Sequence, residues 1–388
     1  MVLARTPPDL PAPSDDERAL SDRLTGVIRA EITRAGPLPF ARFMELALYA
    51  PGLGYYAAGK AKFGGAGDYI TAPESFPLFA QCLAHTVAEV LAALADADVL
   101  EVGAGSGRLA AGLLNELAAR DALPRHYYIL DVSADLRTRQ AETIRQQAPA
   151  FYQRVRWLDR LPEPGFRGLV LGNELLDAMP VARFRVRRDG VHELGVTWRD
   201  DRFDWVDLPA GATIAARISA LDLPEGYESE IGFAAEGWIR SVADIIDTGA
   251  VLLIDYGFPR AEYYHPQRTG GTLMCHYRQR AHPDPLILPG LQDITAHVDF
   301  SAAAEAGTTA GLSLLGYTSQ AAFLIGSGLE RLAARSDPND TRAHLELMQQ
   351  IKKLTLPHEM GELFKAIAFG RGIDRLSAFA LQDRRGRL

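Results

Sequence analysis

Residues 98–110, DVLEVGAGSGRLA, narrow the folds open to this chain more than any other stretch. A short apolar run with little polar alternation reads as a strand buried on both faces, as in a parallel sheet covered by helices. The run ends in glycines at 103, 105 and 107, and a helical pattern follows over 108–120. Strand, glycine turn and helix together let a ligand approach bare backbone N–H groups at a helix N-terminus.

The same alternation continues downstream. HYYILDVS (126–133) reads as a second strand, 134–148 as a helix, RVRWL as a short strand, and GLVLGNELLD opens as a fourth. After Pro180 the period changes. ARFRVRRDGVHELGVTWRDDRFDWVDL alternates with period two and carries turn signals at Asp189-Gly190 and Asp200-Asp201, which predicts an antiparallel meander. The core resumes at GAVLLIDYG (249–257) and closes with strands near 312–316 and 364–369. Upstream, 17–34 is an amphipathic helix stopped by Gly36-Pro37, FARFMELALYA is a second helix, and 77–95 is a third. The loop between them, 51–76, is too long for a mere connector. The expected fold is therefore α/β: a Rossmann-like sheet with an inserted antiparallel β meander and an N-terminal helical and loop extension. The expected domains are a flexible tail at 1–16, the extension at 17–96, the core at 97–180 and 246–388, and the β-rich insertion at 181–245.

The glycine spacing discriminates between two cofactors. Dinucleotide sites use G-x-G-x-x-G, but here the third glycine comes one position early and Arg108 stands where it should be. Glu101, two residues before Gly103, would repel a pyrophosphate but suits the methionyl ammonium of S-adenosyl-L-methionine (SAM). Asp131 ends the next strand, 24 residues beyond Gly107, where an acid can accept hydrogen bonds from both ribose hydroxyls. Glu101, Gly103, Gly105, Gly107 and Asp131 are thus the expected cofactor residues, and SAM the expected cofactor. A plain buried strand–helix turn would need only the glycines.

Several longer stretches carry a resemblance. GPLPFARFMELALYAPGLGYY, GDYITAPESFPLFAQ, EVGAGSGRLA, GNELLDAMPVARF, LLIDYG and LPHEMGELFKAIAFG occur in order across residues 36–370. On these the chain resembles the MidA-like methyltransferases, relatives of a mitochondrial complex I assembly factor that methylates an arginine. The resemblance implies a class I SAM-dependent methyltransferase fold and SAM as cofactor. It also implies methylation of an arginine in a protein partner such as a core NADH dehydrogenase subunit, and with it a part in complex I assembly. The chain departs from the family pattern at Asp131, where Glu is usual, and at PESFP around Glu74 and Ser75. The alternatives are a small-molecule or other-protein methyltransferase on the same fold, a non-catalytic SAM-binding assembly factor, and, least favoured, a nicotinamide dehydrogenase.

Methyl transfer to arginine needs alignment, and carboxylates that orient the planar guanidinium. GNELLDAMP follows the fourth strand, so Asn173, Glu174 and Asp177 fall at the carboxyl edge of the sheet, where ligands bind in open α/β folds. They are the expected catalytic residues. In the competing reading Asn173 caps a short helix whose dipole the two acids complement. In GDYITAPES (67–75), Thr71 and Glu74 are the polar candidates for closing over the cofactor, with Asp68 a further one. Asp255 and Tyr256 lie at the end of the fifth strand, and Tyr256 is either a pocket wall or a core residue.

Other features are read as structural. Arg183, Arg185 and Arg187 alternate along a solvated sheet face, with an acidic-partner surface as the minority option. Lys365, in an apolar strand, is expected to pair with a carboxylate. His297 and Asp299 lack a third ligand at recognisable spacing, so no metal is expected. Cys82 and Cys275 form no disulfide framework. A net charge of −8 argues against nucleic acid, no stretch is long and apolar enough to suggest membrane insertion, and the proline- and acid-rich start reads as the tail of a cytoplasmic protein. Oligomeric state is not readable.

Overall fold

The computed structural model describes residues 10–58, 71–337 and 339–388. They fall into two compact units. One comprises Met1–Tyr69, Asp177–Ala235 and Arg260–Asp299, and the other Ile70–Leu176, Glu236–Pro259 and Phe300–Leu388. The N-terminal extension is thus shared between the units at residue 70. Residues 260–299, expected in the core, belong with the β-rich segment, and the first helix begins at Asp15, inside the stretch expected as a tail.

The second unit is built on one sheet: β1 (Asp98–Val102), β2 (Tyr127–Leu130), β3 (Val155–Leu158), β4 (Phe166–Asn173), β5 (Ile246–Phe258), β6 (Ser313–Ser319) and β7 (Phe364–Arg371). The strand order is β6-β7-β5-β4-β1-β2-β3. Strands β5, β4, β1, β2 and β3 pair in parallel, whereas β7 runs antiparallel to both neighbours. The chain moves outward from β1 to β3 and then returns to β4 on the far side of β1. That reversal is a topological switch point, and it opens a crevice beyond the carboxyl ends of β1 and β4.

Every residue of β1 is buried, because helices cover the sheet. Phe79 and Leu83 of helix Pro77–Ala92, Leu114 of helix Arg108–Ala118, and Val99, Leu171, Leu252 and Ile254 of the strands join one core at zero exposure. Parallel strands so enclosed have no polar face, which is why their sequences show little period-two alternation. The sheet's opposite end depends on glycine. Gly168 has φ 143°, and a Cβ there would lie 1.8 Å from the Asp98 carbonyl oxygen; Gly249, its neighbour in β5, would meet Gly168 in the same way.

In the first unit the meander forms as predicted: Ala182–Arg187, Gly190–Arg199 and Arg202–Pro209 pair antiparallel in series. The second hairpin turns at Asp200 and Asp201, both with positive φ, as a tight primed turn requires. The first is displaced one residue from expectation. Arg187 pairs with Gly190, so Arg188-Asp189 form the loop and Gly190 begins the strand. Leu38–Pro39 and Glu228–Ile231 complete this sheet, and a separate three-stranded sheet is centred on Met274–Tyr277. Helices Asp15–Ala35 and Phe40–Tyr49 bury Leu24, Ile28, Phe40 and Phe43 with Val196 and Phe203 of the meander. The first helix opens with a full capping box between Ser14 and Glu17.

Replacing Gly168 by Ala is expected to cost about 1–3 kcal/mol from the backbone conformation alone, and more from the collision with Asp98. Chemical denaturation of the variant against wild type measures this; an unchanged midpoint would contradict the packing described.

Candidate active site

Strand β1 delivers Glu101 and the glycine turn to the crevice. Glu101 is 3% exposed, and its carboxylate accepts a hydrogen bond from the buried Tyr127 hydroxyl on β2 at 2.6 Å. Burial pushes the Glu101 carboxyl up to about 7. It outweighs the Tyr127 hydrogen bond, and the negative charges of Asp131 and Glu74 add to the rise. The Tyr127 hydroxyl is in turn raised well above its usual range by burial and by Glu101.

Gly103, Gly105 and Gly107 all have positive φ, at 71°, 54° and 86°. Gly107 is the residue before helix Arg108–Ala118, and a Cβ on it would stand 2.9 Å from the backbone of Gln140. Close approach is thus needed here one position earlier than in the dinucleotide pattern. Arg108, free of that constraint, reaches Glu74: its Nε lies 3.4 Å from the carboxylate and its guanidinium donates to the Glu74 carbonyl at 2.9 Å. The Glu74 carboxylate also accepts from the Ser106 backbone N–H and hydroxyl. Glu74 therefore clamps the glycine turn. Thr71, 8% exposed, precedes the short helix Ala72–Ser75 and makes no side-chain cap to it. Asp68 lies outside the described residues.

Asp131, at the end of β2, is buried. Its Oδ1 accepts from Ser133 N at 2.9 Å and its Oδ2 from Gln140 Nε2 at 2.8 Å. The same Nε2 donates to the Gly105 carbonyl at 3.1 Å, and Gln140 Oε1 accepts from the Trp157 indole at 3.0 Å.

Asn173 ends β4. Its Nδ2 donates to Glu174 at 3.1 Å, and its Oδ1 is buried with no hydrogen-bond partner. Glu174 adopts φ 49°, left-handed for a non-glycine residue, and its backbone N–H donates to the Ile254 carbonyl. Asp255 supports this bend: its Oδ2 accepts from Leu175 N at 3.1 Å and Leu176 N at 2.9 Å. Residues 174–180 contain no helix, so the reading in which Asn173 caps one fails. Asp177 opens the second segment of the other unit, where it is 5% exposed and its carbonyl accepts from Ala296 N. Tyr256 packs edge-on against Phe364.

The second unit thus brings Glu74, Glu101 and Asp131 close enough for their charges to interact, and joins Asn173 to Glu174. Gln140, Trp157, Tyr127 and Ser106 were not singled out from sequence. Gln140 had one signal: it sits with Leu136 and Ile144 on the buried stripe of helix Ala134–Gln147, an amide where an aliphatic residue belongs.

The remaining expectations resolve as follows. Arg183 and Arg185 pair with Glu228, and Arg185 and Arg187 with Asp207, so the arginine row is neutralised by its own sheet. The Lys365 ammonium donates to the carbonyls of Glu362 and Leu363, and it lies in register opposite Asp255. Asp299 pairs with Arg260 at 3.5 Å, and His297 N donates to Thr272. No group of three or more metal-binding side chains occurs among the described residues. Among those residues, no helix is long and apolar enough to cross a membrane.

A desolvated carboxylate, a bare glycine turn and a second buried acid in one crevice suit a ligand with a cationic end and a diol. SAM has these groups, so the residues present fit it. The profile of a family described as S-adenosyl-L-methionine-dependent methyltransferases matches residues 82–318. A crystal structure of a COG1565 superfamily member from Burkholderia thailandensis, bound to S-adenosyl-homocysteine, is similar with a TM-score of 0.95 and 52% identity, covering 98% of this chain and 100% of that one. Among curated proteins, the mouse mitochondrial protein arginine methyltransferase NDUFAF7 is 28% identical over 92% of this chain and 86% of its own length. The human protein of that name is 26% identical over 87% and 81%. These names overturn the expectation of a cytoplasmic protein, because the curated relatives are mitochondrial.

Stability should depend on pH through Glu101. Its folded-state pKa lies above the ordinary value of 4.5, so the folded chain holds a proton that the unfolded chain releases between about pH 4.5 and 7. Stability is lost as pH rises through that window. Glu101→Gln is expected to gain stability over wild type at pH 8 relative to pH 5, in denaturation without added ligand; a difference independent of pH would contradict the burial argument.

Proposed function

Since the chain belongs to a family of S-adenosyl-L-methionine-dependent methyltransferases, we propose that it methylates an arginine side chain of a protein partner. The relatives named as protein arginine methyltransferases support this reading. The observation that carries it is the Asn173–Glu174 pair: a buried amide oxygen without a partner beside a carboxylate held in a strained backbone conformation at the switch point. Strain of this kind costs roughly 1–3 kcal/mol and concentrates where side-chain direction matters to function.

When bound, SAM supplies an electrophilic methyl group on a sulfonium. The chain's own residues then have distinct tasks. Glu101 offsets the methionyl ammonium, which returns the carboxyl toward its ionised form. Asp131 accepts from the ribose hydroxyls, the glycine turn lets the ligand reach backbone, and Glu74 keeps that turn in shape through Ser106 and Arg108. Thr71, beside Glu74, is proposed to face the same ligand. Asn173 Oδ1 accepts from a guanidinium N–H, and the Glu174 carboxylate orients the fork and takes the proton released on N-methylation. Asp255 positions both by holding the backbone N–H groups of Leu175 and Leu176. Asp177 is proposed as a second carboxylate from its spacing in GNELLDAMP alone. We further propose an NADH dehydrogenase subunit as acceptor and complex I assembly as the setting, as the sequence resemblance implies.

The test offers methyl-labelled SAM and respiratory subunits to the purified protein and locates the label by fragment mass. Wild type is expected to mark arginine, and Glu174→Gln to lower the rate about 100-fold or more while S-adenosyl-homocysteine affinity changes little. Label on another residue type or on a small molecule, or an undiminished Glu174→Gln, would remove this assignment.

A further inference from the structure

We infer that Gln140 is a positioning residue for the cofactor: its carboxamide aims Asp131 and ties it to the glycine turn. The inference rests on the proposal that Asp131 receives the ribose. Gln140 is fully buried in the middle of helix Ala134–Gln147, where a side-chain amide costs desolvation unless all its hydrogen bonds are made. Here three are made. Nε2 donates to Asp131 Oδ2 at 2.8 Å and to the Gly105 carbonyl at 3.1 Å. Oε1 accepts from the Trp157 indole N–H on β3 at 3.0 Å.

The indole is a donor only, so it dictates which end of the amide is oxygen and which is nitrogen. That choice turns both amide hydrogens toward Asp131 and Gly105. Ser133 N holds the other carboxylate oxygen, so the Asp131 plane is fixed from two sides. The helix packs close to the turn because Gly107, without a Cβ, lies against the Gln140 backbone. The Gln140 side chain therefore joins two parallel strands, through Trp157 and Asp131, to the ligand turn, through Gly105. An apolar residue of the same volume would fill the space but remove the Gln140 donor from both Asp131 Oδ2 and the Gly105 carbonyl.

The test is a double-mutant cycle read by calorimetry with S-adenosyl-homocysteine and its 2′,3′-dideoxyribose analogue. Gln140→Met is expected to weaken S-adenosyl-homocysteine binding about tenfold or more and dideoxy-analogue binding much less. In an Asp131→Ala background the same change is expected to cost little. Trp157→Phe, which keeps an aromatic ring but removes the N–H, is expected to give a smaller loss of the same ribose-dependent kind. Equal losses for both ligands, or an undiminished loss in the Asp131→Ala background, would make Gln140 merely structural and overturn the inference. An Asp131→Ala chain that binds as tightly as wild type would remove the ribose assignment, and the inference with it.

Discussion

A carboxylate buried at the carboxyl end of β1 sets the terms for the rest of the site. Glu101 has left water, receives one hydrogen bond from a phenol that is itself buried, and faces the negative charges of Asp131 and Glu74. Such an arrangement works against folding, and in the proposed function it is offset by the ligand's ammonium on binding. The surrounding fold holds the carboxylate at the carboxyl end of the sheet. The parallel strands beside β1 fix its height, the glycines leave the backbone bare, and Arg108 draws Glu74 onto the turn.

The crevice is produced by topology, and its floor by glycine. Because the order reverses between β1 and β4, no crossover covers the ends of these two strands, and Gly103, Asn173 and Glu174 emerge side by side in the sheet order. The left-handed turn at Glu174 is sustained by Asp255 from β5, an interaction between neighbouring parallel strands. Asp255 was expected at the crevice edge and is found there, but its side chain serves the backbone.

Patterns with a local cause were legible in the sequence. The buried strand, the period-two meander and the primed turn at Asp200-Asp201 each follow from steric or burial rules acting within a few residues. The cofactor was legible because Arg108 breaks the dinucleotide spacing and Glu101 disfavours a pyrophosphate. What escaped depends on partners far apart in the chain: Trp157 to Gln140, Gln140 to Gly105, Asp255 to Leu175. The hairpin at Arg188-Asp189 was displaced by one residue because Asp-Gly is a strong turn pair, yet the glycine is used to start the strand. The row of arginines 183, 185 and 187 gave no hint that Glu228 and Asp207 would neutralise it from neighbouring strands.

The most direct measurement is the ionisation of Glu101 itself, followed by carbon NMR of the labelled side-chain carboxyl with and without S-adenosyl-homocysteine. The free protein should titrate near pH 7, and the ligand's ammonium should move that titration to clearly lower pH. A carboxyl that titrates near 4.5 in the free protein, or one that the ligand leaves unmoved, would contradict the role given to the end of β1.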